Sequence, residues 1–81
     1  MPRPDLDTAE SSFRAALSIA REQGTKGFEL RAATSLARLL GDDGRQEEAQ
    51  ELLAPVYDWF TEGFDTADLI AAKALLEQLA P

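Results

Sequence analysis

Four stretches of the chain carry apolar side chains at helical spacing, and none alternates in the manner of a strand. In the first, Ala9, Phe13, Ala16, Leu17 and Ala20 share one stripe, with Ile19 beside it. Glu10, Arg14, Arg21 and Glu22 lie largely off that stripe. Asp7 followed by Glu10 has the spacing of a capping box. Gly24 stands where a helix ends in the left-handed region. The pattern predicts a helix over 7–23, after an extended lead-in over 1–6 in which Pro2 and Pro4 disfavour helical neighbours. The second stretch, 26–40, holds Phe28, Leu30, Ala32, Ala33, Leu36, Ala37, Leu39 and Leu40. A stripe that broad implies contact on more than one side. Its alanines permit close helix approach, and Glu29, Arg31 and Arg38 mark its outer face. Gly41-Asp42-Asp43-Gly44 reads as a turn.

The third stretch begins near Arg45, with Glu47 and Glu48 suited to the positive end of a helix dipole. Ala49, Leu52, Leu53, Val56, Tyr57 and Phe60 form its stripe. Pro55 falls inside this pattern, where a missing N–H and a crowded Glu51 carbonyl predict a kink near 51–55. The chain then enters an aromatic corner over 56–69. Gly63 is placed to end one helix, Asp65 to cap the next, and Phe64 with Leu69 to clamp the junction as a staple. Leu69, Ala72, Leu75, Leu76 and Leu79 turn inward along the last helix, up to the terminal Pro81. The elements predict an all-α fold of four antiparallel helices, at about 7–23, 26–40, 45–61 and 66–79. Residues 7–81 are expected to form one domain.

The first and third helices superpose at a shift of 40 residues. Ala9, Phe13, Ala16 and Leu17 fall on Ala49, Leu53, Val56 and Tyr57. The second and fourth bring Leu36 onto Leu76 at the same shift. A small residue followed one turn later by a large one is the logic of a solenoid, in which each unit buries its face on its neighbour. Ala9-x-x-x-Phe13-x-x-Ala16-Leu17 resembles the second helix of a tetratricopeptide repeat. Gly44 and Ala49 stand where such a repeat has its turn glycine and next small residue, and Leu36, Ala37 and Leu40 resemble its first-helix pattern. The shift is longer than the ~34 residues usual for that repeat.

A sharper resemblance runs along residues 9–79. Its most specific segment is Leu52-Leu53-Ala54-Pro55-Val56-Tyr57-x-Trp59-Phe60-Thr61-Glu62-Gly63-Phe64-Asp65-Thr66-x-Asp68-Leu69. With Phe13-Arg14-x-Ala16-Leu17 and Glu29-Leu30-Arg31-Ala32-Ala33, this is similar to the extreme C-terminal repeats of bacterial signalling proteins. Those proteins carry an adenylate/guanylate cyclase domain, an AAA-type ATPase region and tetratricopeptide-like repeats. The resemblance implies a helical-repeat role in interaction, assembly or regulation. It does not extend to the cyclase or ATPase activity: no G-x-x-x-x-G-K-[ST] loop and no cyclase metal site occurs in this sequence. A regulatory or sensor segment of such a cyclase or ATPase is the alternative role it implies.

Composition narrows the function classes. A chain of 81 residues buries only about 60–65% of its unfolded surface. It has no Cys and no His, which removes disulfides and the usual zinc ligands. Association is the remaining route to added stability, so a protein partner or a second copy is expected. Net charge is −7, unevenly divided. Residues 1–41 hold six basic and five acidic side chains, net +1, and residues 42–81 hold two basic and ten acidic, net −8. The acidic half argues against nucleic acid and favours contact with a basic surface. No apolar run reaches the ~18 residues of a membrane span, and the start has no signal-peptide core. The cytoplasm is the expected location.

No residues combine into catalytic machinery. Glu47, Glu48 and Glu51 read as a solvated acidic turn rather than a metal or acid–base site, and Asp42-Asp43-Gly44 lacks the spaced ligands of a calcium loop. Ser11, Ser12 and Ser35 have no His to activate them. No catalytic residue, metal ligand or cofactor site is therefore expected. Arg14 with Arg21, and Arg31 with Arg38, recur at seven-residue spacing and read first as partners of nearby carboxylates. Arg31 and Arg38 are also candidates for binding a carboxylate or phosphate. Tyr57 and Phe60 share a helix face and read as core. Trp59, about 100° away, is the candidate interface residue.

Overall fold

The chain leaves its first two helices at glycines, and by the same device. The computed structural model describes residues 4–60 and 66–80. These form α1 (Pro4–Gln23), α2 (Lys26–Asp42), α3 (Gln46–Trp59) and α4 (Ala67–Leu79), with no strand among them: the fold is all-α. At the end of α1, Gly24 has φ +70°, its N–H reaches the Arg21 carbonyl and the Thr25 N–H reaches that of Ala20. At the end of α2, Gly44 has φ +81°, its N–H reaches the Gly41 carbonyl and the Arg45 N–H that of Leu40. Both are Schellman closures, which need a residue free of a Cβ penalty and satisfy carbonyls the helix leaves open.

Several expected boundaries move. α1 already includes residues 4–6, expected to be extended, since proline tolerates a first helical turn that needs no N–H from it. Asp7 therefore lies inside the helix instead of capping it, and the Glu10 carboxylate turns to Arg14 and Arg45. α2 runs on through Gly41 and Asp42, so the turn is shorter than expected. α3 continues through Pro55 and stops at Trp59. The cap of α4 is Thr66 rather than Asp65. Thr66 is extended, and its hydroxyl accepts from the Leu69 N–H at 3.4 Å, the position a Thr oxygen reaches three residues on. Gly63, Phe64 and Asp65, assigned above to a helix stop, a staple and a cap, lie outside the described residues, as do Pro2 and Pro81.

The broad stripe of α2 has its reason in the packing, because α2 meets α1, α3 and α4. Leu30, Leu36 and Leu40 of α2 and Leu53 of α3 are fully buried, each side chain stabilising the fold by about 1.5–3 kcal/mol through area removed from water. Ala33, Ala37, Ala49 and Ala72 are also fully buried and keep the helix axes close. Gly41 allows another close approach: a Cβ there would stand 3.0 Å from a Leu79 methyl. Leu69, Ala72, Leu75 and Leu79 complete the core, and Tyr57, Phe60 and Leu76 pack half-buried on its edge. α1 is placed differently. Among the described residues it packs against α2 alone and meets α3 only through ion pairs.

Candidate interaction surface

Among the described residues four large apolar side chains stay in water: Phe28 (65% exposed), Trp59 (57%), Ile70 (55%) and Ile19 (54%). Scattered single residues of this kind are ordinary, but Ile19 and Phe28 are not scattered. They line an open groove of about 520 Å³ between α1 and α2, together with Phe13, Ala16 and Ala32. Arg31 and Ser35 stand at its α2 wall. The groove exists because α1 covers only one flank of α2. On α2 the residues Phe28, Arg31, Ser35 and Arg38 recur at spacings of three, four and three, which places them on a single face opposite the core leucines.

Arg31 lies at the junction of this groove and a smaller depression of about 280 Å³ between α2 and α4, shared with Arg38 and Asp68. Its Nε donates to the Asp68 carboxylate at 3.0 Å, tying α2 to the first turn of α4. Most of the Arg31 side chain remains exposed, and a guanidinium carries further donors on its outer edge. Arg38 is exposed, and among the described residues no carboxylate pairs with it.

Trp59 ends α3 beside the start of α2. Lys26 Nζ sits 4.9 Å from its ring centroid, within cation–π range. The Phe60 ring meets it edge-on, with centroids 5.2 Å apart and planes at 83°. Tyr57 and Phe60 are half-buried against the core, as their shared face implied, while Trp59 projects outward.

Two charged clusters fix the ends of the groove helices. Glu29, expected on the outer face of α2, is buried at 5% exposure. It accepts from Arg21 Nε at 3.2 Å and from Lys26 Nζ at 3.3 Å, so the charge is compensated where it is desolvated. This joins the end of α1 to the start of α2. The second cluster joins α1 to α3: Glu10 accepts from Arg45 at 2.7 Å and from Arg14 at 3.0 Å, and Arg45 also pairs with Glu48. The Arg45 hydrogen bond, then that of Arg14, holds the Glu10 carboxyl below the usual glutamate range. Glu10 in turn raises the Arg45 guanidinium. Arg14, Arg21 and Arg31 thus all pair with carboxylates, the first reading of the seven-residue arginine spacing.

Trp59, Arg31 and Arg38 are not one cluster. Arg31 and Arg38 share the exposed α2 face, and Trp59 lies by the start of α2 with Lys26. The apolar pattern does not single out Ile19 and Phe28, because Phe28 belongs to the apolar set of α2 and Ile19 lies beside that of α1. The three-four-three spacing of Phe28 with Arg31, Ser35 and Arg38 was the available signal. Among the described residues no group of three or more acidic side chains converges as a metal site, and no helix is long and apolar enough to cross a membrane. Comparison with known protein families, characterised proteins and solved structures finds no match to the chain.

Proposed function

We propose that the chain is a non-catalytic helical-repeat module, of tetratricopeptide-like type, whose task is to bind protein. The observation that carries this reading is the groove between α1 and α2. It is apolar along its floor, bounded by Arg31, and flanked by Ile19 and Phe28 in positions where an isolated chain gains nothing by displaying them. An aromatic side chain in an apolar groove beside an arginine has the composition of a binding hot spot. Trp59 adds a second anchor at the near end of α2. A chain with no His and no Cys lacks the most common general base and the strongest side-chain nucleophile.

Capture of bound protein from the native cell tests the reading, comparing the unaltered chain with Phe28→Asp and Trp59→Ala. All three proteins should show the same helical circular dichroism and melting temperature within a few degrees, since neither side chain is core. Phe28→Asp should lose the captured protein, and Trp59→Ala should weaken its retention. Equal retention by Phe28→Asp, with the fold intact, would remove the groove from any binding role.

A further inference from the structure

The groove between α1 and α2 has a counterpart inside the chain, and that counterpart is filled. At the shift of 40 residues, α1 corresponds to α3 and α2 to α4. The angle between α3 and α4 is occupied by α2, which packs against both. The equivalent angle between α1 and α2 is occupied by no described helix. Burial follows the same rule. Leu53 and Val56 of α3 are buried, whereas their equivalents Phe13 and Ala16 in α1 are half-buried and exposed. Ala72 of α4 is fully buried, whereas its equivalent Ala32 is only half-buried. The apolar residues of the groove therefore stand at positions equivalent to core positions, and no described helix covers them.

The other end of the chain carries the matching excess. α4 is the equivalent of α2, the helix that fills the inner groove. It uses Leu69, Ala72, Leu75 and Leu79 against α2 and α3, yet its outer face still presents Ala67, Ile70 and Ala74. Ile70 is 55% exposed, and its equivalent Leu30 is buried. Lys73 and Glu77 border these apolar residues on the same exposed face, and the groove wall carries Arg31. At about 1.5 Å per residue, the 13 residues of α4 span about 20 Å, enough to lie along the groove wall formed by the second half of α1.

We infer that the partner seated in the α1–α2 groove is a second copy of this chain, entering with the outer face of its α4. The contact is head-to-tail: the surface offered differs from the surface received. Such an interface does not close on a two-fold axis, so each added copy leaves one groove and one α4 free, and assembly extends with concentration. The inference rests on the interaction reading above and names the partner for the same groove.

Mixing two half-blocked variants tests it by sedimentation velocity. Ala16→Glu charges the groove and Ile70→Glu charges the α4 face, both at exposed positions, with Ile19→Glu and Ala74→Glu as second variants at the same two surfaces. Circular dichroism identifies any variant that fails to fold. The unaltered chain should form dimers and then larger species as concentration rises. Each variant alone should weaken association by at least about tenfold, and an equimolar mixture should form a dimer and stop there, through the one intact junction. Unaltered chain that stays monomeric, a closed dimer insensitive to Ile70→Glu, or a mixture that recovers no dimer would overturn the inference. If Phe28-dependent capture of a different protein survives any of these results, the binding role stands and only the identity of the partner falls.

Discussion

Glu10 shows how far a side chain's role depends on what stands across from it. In sequence it completes a capping box with Asp7. In the fold it receives Arg45 from the turn before α3 and Arg14 from its own helix, with Glu48 on the far side of the same arginines. Its folded carboxyl lies below its ordinary value of 4.5 because of those hydrogen bonds, Arg45 first. A depressed carboxyl means that the unfolded chain binds more protons in the interval between the two values, so stability is full above the ordinary value and falls as pH drops through the folded one. The melting temperature should decline as pH falls below 4.5, and Glu10→Gln should flatten that decline. Parallel curves for the two proteins would show that Glu10 contributes nothing to it. Glu29 makes the complementary case. Its burial was not legible in the sequence, because a charged residue at an outer-face position reads as solvated until Arg21 and Lys26 are seen to converge on it from two helices.

At the scale of elements, much of the fold was legible. Stripe periodicity located each helix, and the breadth of the α2 stripe identified the helix with neighbours on several sides. Boundaries were less so, for local reasons. Pro4 permits a helical first turn, Gly41 continues α2, and Thr66 caps as well as an aspartate one residue earlier. The two Schellman ends give a test at this scale. Gly44 has φ +81° and open space around a built Cβ, so the only cost of an alanine there is backbone strain. That cost is about 1–2 kcal/mol, and in a domain of this size each kcal/mol lowers the melting temperature by about 4–8 °C. Gly27 also has open space but lies in the first turn of α2 without a positive φ, and Gly27→Ala should instead raise the melting temperature. Equal effects at the two sites would refute the left-handed assignment at Gly44. The binding face was only half legible. Arg31, Arg38 and Trp59 stand out as chemistry, but Phe28 falls in the apolar set of α2 and Ile19 beside that of α1, and a stripe in sequence does not tell which of its flanks a neighbouring helix will leave open.

For the whole molecule, the distribution of apolar exposure carries the functional reading. The core gathers on α2, α3 and α4, while α1 attaches by one flank and two ion-pair clusters. Among the described residues the large exposed apolar side chains lie in the α1–α2 groove, at the end of α3 and on the outer side of α4. The exposure of the large apolar side chains Ile19, Phe28 and Ile70 is what supports a binding role. The direct measurement is photo-crosslinking in the native cell with a benzophenone amino acid in place of Phe28, and the same probe in place of exposed Glu51 on α3 as the reference surface. The expected result is a discrete protein adduct from position 28 that position 51 does not give. No adduct at position 28, or the same adducts from both positions, would contradict a protein-binding groove between α1 and α2.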